Sequence, residues 1–367
     1  MKKKSRNLNN ILMIKHYSGK GGGDIHIEII SELWKKKGIK VDKFFNENND
    51  LNLFPILSIY SIIKNIKNLL PLKNNPDIIL SSSPYLPDLL SSVYIYFKYH
   101  KPVIIYFHHL PPKLYWYPFK RGLISSIFNY FYMNTVLIIS KILNFSIMLD
   151  QPQAYKLGTI SVMKDDDAIN ENFKIDYNKV SSDFYFDIGF LARFQKSKGI
   201  FDFINAISKV IKKFPNLKVF IAGHSLDLKL ENNIKNKISK LGLKSNITLF
   251  TNIDNVAKIK LLKNLKLYVF PSYVEGWALS VMEAAYANVP IIVYSLPAYS
   301  YLKNNYFSVK PGNIKDLANK IEYVLLNYNE AKLIACEAGR IVKKYNYEKI
   351  ASDQLNFFES LINQNIT

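Results

Sequence analysis

Two glutamates, Glu275 and Glu283, stand eight positions apart in the run Pro271-Ser272-Tyr273-Val274-Glu275-Gly276-Trp277-Ala278-Leu279-Ser280-Val281-Met282-Glu283. An apolar strand is expected over 265–270, and the spacing of Leu279, Met282 and Tyr286 then changes to a helical period. Glu275 therefore falls in the turn at a helix mouth, and Glu283 in the second turn. The first N–H groups of a helix have no internal partner, so they and the helix dipole favour a phosphate placed between the two acids. A carboxylate only accepts hydrogen bonds, which suits each Glu to hydroxyl donors such as those of a ribose or a hexose. The competing reading is a surface helix with two solvated glutamates.

A second constellation is cationic. In Leu191-Ala192-Arg193-Phe194-Gln195-Lys196-Ser197-Lys198-Gly199 a strand ends and a helix begins, with Arg193 and Lys198 five apart across the turn. Arg offers a planar two-donor fork and Lys a mobile point charge, so both can converge on one diphosphate and neutralise charge growing on a departing nucleoside diphosphate. Lys196 competes for the same role, and basic loop residues are commonly just solvated.

The two segments together resemble the motifs of retaining glycosyltransferases of the GT-B fold, family-four or group 1 type. Those motifs read roughly Pro-Ser-x-x-Glu-Gly-Phe-Gly-Leu-x-x-x-Glu-Ala and Gly-Arg-Leu-x-x-x-x-Lys-Gly. The resemblance implies that Glu275 contacts the transferred sugar, Glu283 the donor ribose, and Arg193 and Lys198 the diphosphate, with the helix mouth at Ala278 and Leu279 helping to hold it. It implies same-face transfer from a UDP- or GDP-linked sugar to a glycan, lipid-linked or small-molecule acceptor, with no cofactor and no dedicated metal. The chain departs from the pattern at Ala192 and Ala278, which stand for Gly, at Thr251, also in the place of a Gly, and at 165–167, where three aspartates replace a Pro-Asn-Gly turn. Rival readings on the same fold are a catalytically silent nucleotide-sugar binder and a hydrolysing sugar-nucleotide epimerase.

The first half offers weaker signals. The loop Gly19-Lys20-Gly21-Gly22-Gly23 follows an apolar strand at 11–15, but Lys20 is followed by Gly21 rather than Ser or Thr, and Asp24 breaks the dinucleotide glycine pattern. What remains is a pliant backbone that can approach a ligand closely, or a plain tight turn. By the resemblance, Gly22 and Gly23 lie near the diphosphate and acceptor. The strand at 103–107 runs into His108 and His109 at its carboxyl end, where open α/β sheets bind ligands. Family members carry a His facing the sugar at the place of His108; His109 is the alternative. The six histidines and one cysteine show no metal-ligand spacing.

A chain of 367 residues exceeds the ~250–300 at which single cores stop growing. Strands and helices alternate in two series, as in doubly wound parallel sheets. The expected fold class is α/β, and the resemblance implies the GT-B arrangement: two Rossmann-like domains facing a cleft, an acceptor-side domain over 1–177 and a nucleotide-sugar domain over 178–345, with a helix in 346–367 returning to the first. The polar, acidic stretch 165–177 reads as the linker.

The formal charge of +20 implies acidic partners such as nucleotide diphosphates or anionic lipid headgroups. Nucleic acid is disfavoured, because no helix-turn-helix, zinc-finger or RRM signature appears. Cys336 is the single cysteine, which suits a reducing cytoplasm. Residues 122–140 carry no charge, long enough for a membrane span, but Ser125, Ser126, Asn129, Asn134 and Thr135 interrupt them. A buried or interfacial helix is the expectation, and with the aromatic Tyr115-Trp116-Tyr117 it suggests peripheral contact with the inner face of the cell membrane.

Overall fold

The computed structural model describes residues 7–16, 22–46, 75–84, 86–107, 123–150, 162–165, 167–225 and 227–364. The chain divides into two units, Met1–Asp167 with Tyr347–Thr367, and Ala168–Asn346.

The first unit holds strands β1 (Asn10–His16), β2 (Lys40–Asn46), β3 (Ile78–Ser81), β4 (Val103–Phe107), β5 (Ser146–Asp150) and β6 (Val162–Asp165), with helices α1 (Gly22–Lys36), α2 (Leu86–Tyr99) and α3 (Leu123–Ile142). The strands form one parallel sheet in the order β2-β1-β3-β4-β5-β6. Ile78, Ile79, Leu80 and all five residues of β4 are buried, the uninterrupted apolar run that a parallel strand covered on both faces requires.

The second unit repeats the plan with strands β7 (Phe186–Leu191), β8 (Val219–Gly223), β9 (Ile247–Thr251), β10 (Leu265–Phe270), β11 (Ile291–Tyr294) and β12 (Phe307–Val309). Its helices are α4 (Glu171–Lys179), α5 (Ile200–Val210), α6 (Leu228–Lys240), α7 (Asn255–Lys263), α8 (Leu279–Tyr286), α9 (Ile314–Leu326) and α10 (Tyr328–Val342). The sheet order is β12-β11-β10-β7-β8-β9, all parallel. From β7 the chain winds outward through β8 and β9, then returns to start again on the other side with β10. The connections that follow β7 and β10 therefore lead to opposite sides of the sheet, and the carboxyl edge at this reversal is where such sheets take ligands. Helix α5 shows how the layers close: Phe203, Ile204, Ile207 and Val210 share one face and are fully buried. Each such side chain contributes about 1.5–3 kcal/mol by leaving water.

The last helix, α11 (Tyr347–Gln364), belongs to the first unit, where Phe358 meets the edge of the Trp34 ring on α1 at 5.3 Å. Asp167 Oδ1 accepts a hydrogen bond from Tyr347 Oη at 2.6 Å and lies 3.0 Å from His26 Nδ1 on α1. The two points where the chain passes between units, 167/168 and 346/347, are thus bonded to one another inside the first unit.

Three expectations change. Residues 171–179 are helix rather than linker, so the unit boundary falls at 167/168 and not 177/178. Asn170 caps that helix by accepting from Asn172 N at 2.8 Å, and Phe173 is its one buried residue, too little apolar surface to show as a period. The second passage lies at 346/347 rather than 345/346. Gly22 and Gly23 form the first turn of α1 instead of closing a loop, which leaves their N–H groups without helical acceptors.

The uncharged segment becomes α3, in which Val136 and Ser140 are buried while Phe131, Ile138 and Ile142 face water. Among the described residues no helix is long and apolar enough to cross a membrane.

Candidate active site

Arg193 and Lys198 follow β7, and Glu275 and Glu283 follow β10, the two strands that flank the point of reversal. These strands pair through Leu267 with Ile188 and Tyr268 with Gly189, so both loops leave the sheet at the same level. The loops are then sewn together by backbone. Ser197 O accepts from Tyr273 N at 3.0 Å and from Ser272 Oγ at 3.2 Å. Gly199 sits at φ 73°, and a Cβ there would lie 1.9 Å from Pro271 O, so only glycine permits this approach.

Lys198 and Glu275 meet across this seam. Lys198 Nζ donates to Glu275 Oε1 at 2.7 Å, with the side chains 22% and 7% exposed. The ammonium also lies 5.8 Å from the Phe270 ring centroid, on the negative face of the aromatic ring. Arg193 is partly buried and makes no hydrogen bond or ion pair with the described residues. Lys196, the competing cation, is exposed, and its side chain likewise makes none with them.

Glu283 lies in the second turn of α8, where its Oε1 accepts from Lys258 Nζ at 2.5 Å. Sequence reasoning missed Lys258, because a lone lysine in α7 carries no motif. One buried hydroxyl marks the proximity of the two acids: Tyr268 Oη donates to Leu191 O at 2.8 Å. Burial pushes this phenol well above its usual range, Glu283 and Glu275 push it the same way, and a hydrogen bond with Ser280 opposes them. The structure thus brings Lys198, Glu275 and Glu283 around the ends of β7 and β10. Arg193 shares the loop with Lys198 but contacts neither acid.

The turn between the glutamates is held from below. Tyr273 and Tyr294 both donate to Asp202 Oδ2, the second at 2.7 Å, and burial, reinforced by that carboxylate, pushes both phenols up. Trp277 is buried, stacked on Tyr301 at 4.6 Å, with its indole N–H directed at Met282 Sδ. Ala278 caps α8 at φ 62°, ψ 70°, the left-handed conformation that disfavours a Cβ, which explains why glycine is usual at this place in the resembled motif. Leu279 follows as the first helical residue, so the expected helix mouth has the expected residues.

Replacing Ala278 with Gly removes a strain of about 1–2 kcal/mol and adds about 0.4–1 kcal/mol of unfolded-state entropy. A net gain of up to about 1.5 kcal/mol is expected, raising the thermal midpoint of the second unit by about 2–4 °C per kcal/mol, readable by calorimetry.

In the first unit His108 and His109 lie outside the described residues, as do Gly19, Lys20 and Gly21. The serine loop after β3 is closed on itself: Ser81 Oγ donates to Ser83 O and Ser83 Oγ to Asp88 Oδ2. Among the described residues no group of three or more His, Cys, Asp or Glu could hold a metal ion.

The model of the family glycosyl transferases group 1 matches residues 174–348. The second unit is a glycosyl transferases group 1 domain. An uncharacterized glycosyltransferase of Methanocaldococcus jannaschii is 26% identical over 258 residues, 69% of this chain and 55% of its own. The chain spans about half the length of the curated relatives it matches. Among solved structures, sucrose-phosphate synthase from Thermosynechococcus elongatus superposes with a TM-score of 0.76 at 17% identity, covering 96% of this chain and 99% of that one. Anabaena HepE in complex with UDP-glucose gives 0.70 at 15% identity, covering 96% and 99%. These likenesses establish the shared fold, the α/β GT-B architecture of two parallel sheets. Within this glycosyltransferase domain, the matched stretch contains both loops at the β7–β10 reversal and most of helix α4, which the sequence pattern alone assigns to the linker.

Proposed function

We propose that the protein is a retaining glycosyltransferase that moves a hexose from a nucleoside diphosphate to an acceptor hydroxyl. The observation that carries this reading is the Lys198–Glu275 pair, assembled where the loops after β7 and β10 meet, with Glu283 on the adjoining helix. The diphosphate rests against Arg193, Lys198 and the unpaired N–H groups at Ala278 and Leu279, which favour the charge released as the sugar departs. Glu275 accepts from hydroxyls of the transferred sugar, and Glu283 from those of the ribose. In the step itself the bond from the anomeric carbon to phosphate oxygen breaks while that to the acceptor oxygen forms on the same face. The acceptor proton passes to the departing phosphate oxygen, so no side-chain nucleophile is required. His108 toward the sugar, and Gly22 and Gly23 toward diphosphate and acceptor, take the places that the family resemblance gives them.

The donor class is supported by the Anabaena neighbour, whose structure contains UDP-glucose. For the acceptor, the charge of +20 and the exposed Phe131, Ile138 and Ile142 on α3 support a lipid-linked glycan met at an anionic membrane surface. The single cysteine suits a cytoplasmic setting.

The test is a saturation-transfer NMR or thermal-shift screen of UDP- and GDP-linked sugars. One donor should stabilise the wild type, and Glu283→Ala should weaken it by about 10–100-fold, the worth of hydrogen bonds to a charged acceptor. Donor turnover only when an acceptor is supplied marks a transferase. A release of epimerised sugar without acceptor, or binding with no turnover under any condition, overturns the reading.

A further inference from the structure

We propose that Lys258 is a positioning residue for donor recognition: it acts through Glu283, holding that carboxylate aimed so that its second oxygen receives the ribose hydroxyls. The proposal rests on the donor role given to Glu283 above and adds the residue that makes the role work.

Three elements converge on this lysine. It projects from α7, whose start is fixed by Asp254 accepting from Ala257 N at 2.7 Å. Its ammonium bonds Oε1 of Glu283 on α8, with the two side chains only 19% and 13% exposed. It also lies 5.1 Å from the centroid of the Phe173 ring, the buried residue of α4. Held between an aromatic face and a carboxylate, the ammonium cannot wander as a surface lysine does.

The chemistry follows from the two oxygens of a carboxylate. Lys258 takes one, and among the described residues the Glu283 side chain makes no other hydrogen bond, which leaves Oε2 to accept. A carboxylate so far removed from water and lacking a counter-ion would rotate freely and would repel the diphosphate that binds at the mouth of the same helix. The lysine cancels that charge through the oxygen it bonds. Neither effect alters the bond-breaking step, so Lys258 serves ground state and transition state alike.

The measurement is calorimetric binding of UDP and GDP, each against its 2′-deoxy counterpart, to the wild type, Lys258→Met, Lys258→Arg and Glu283→Gln, with the double variant Lys258→Met/Glu283→Gln. Wild type should prefer the ribose form of its nucleotide by about tenfold, in the range of a hydrogen bond to a charged group. Lys258→Met should lose about tenfold in affinity and most of that preference, Lys258→Arg should restore part of both, and the double variant should bind like Glu283→Gln alone. With the full donor, Lys258→Met should raise KM and leave kcat within about twofold. Thermal unfolding of each variant separates this from simple loosening of α7, which would lower the midpoint without changing the ribose preference. An unchanged preference in Lys258→Met, or losses that add in the double variant, overturns the proposal while the donor reading stands. Failure of the wild type to bind either nucleotide overturns both.

Discussion

Lys198→Met is expected to lower kcat for sugar transfer by about 10²–10³-fold, the usual effect of removing one donor aimed at developing negative charge. The change has a second consequence, because Glu275 is only 7% exposed and Lys198 is the cation it bonds. Breaking a buried pair from one side costs about 3–5 kcal/mol, whereas replacing both partners can cost far less. Lys198→Met/Glu275→Gln should therefore regain most of the stability lost in the single variant while remaining inactive. Steady-state kinetics with denaturant unfolding on both variants tests this. A single variant with near wild-type kcat, or a double variant that regains activity, contradicts the role given to Lys198.

Gly199→Ala is expected to damage both fold and activity although the residue touches no ligand. Its Cβ would lie 1.9 Å from Pro271 O at a φ of 73°, so the β7 loop must draw back from the β10 loop. The bonds from Tyr273 N and Ser272 Oγ to Ser197 O hold those loops together, and the retreat would break them. Strain of about 1–2 kcal/mol in the left-handed region and about 1–3 kcal/mol of overpacking give a loss of about 2–5 kcal/mol. The thermal midpoint of the second unit should fall by about 5–15 °C. Displacement of the Lys198–Glu275 pair by an ångström should cost a further ~100-fold in kcat. Calorimetry and kinetics on the purified variant would reveal either loss.

Why some of this is legible in the residue order and some is not comes down to where the information is stored. The β10 strand over 265–270 and the helix that follows are local events, an apolar run and then a 3.6-residue period, so the residue order alone assigns Glu275 to a turn and Glu283 to a helix. Gly199 and Ala278 are local too, in that each stands at a left-handed backbone position. The partner of Glu283 is a different matter. Lys258 comes from a helix 25 positions earlier and reaches α8 only because β9 and β10 lie on opposite sides of the reversal. No spacing rule encodes such a contact. Helix α4 is hidden for another reason: with Phe173 alone buried, its sequence is that of a polar loop, and its stability comes from tertiary contacts such as the edge-on approach of Phe173 to Tyr286 at 6.1 Å.

The ring of bonds from Asp167 to Tyr347 and His26 bears on how the molecule is made. Residues 168–346 are one uninterrupted stretch and can fold as soon as they clear the ribosome, while the unit begun earlier stays open until Tyr347 and the helix behind it have been translated. During that interval the slot on α1 that Phe358 will occupy, with the buried Trp34 beside it, is bare. The half translated first is thus, for a time, the less finished one.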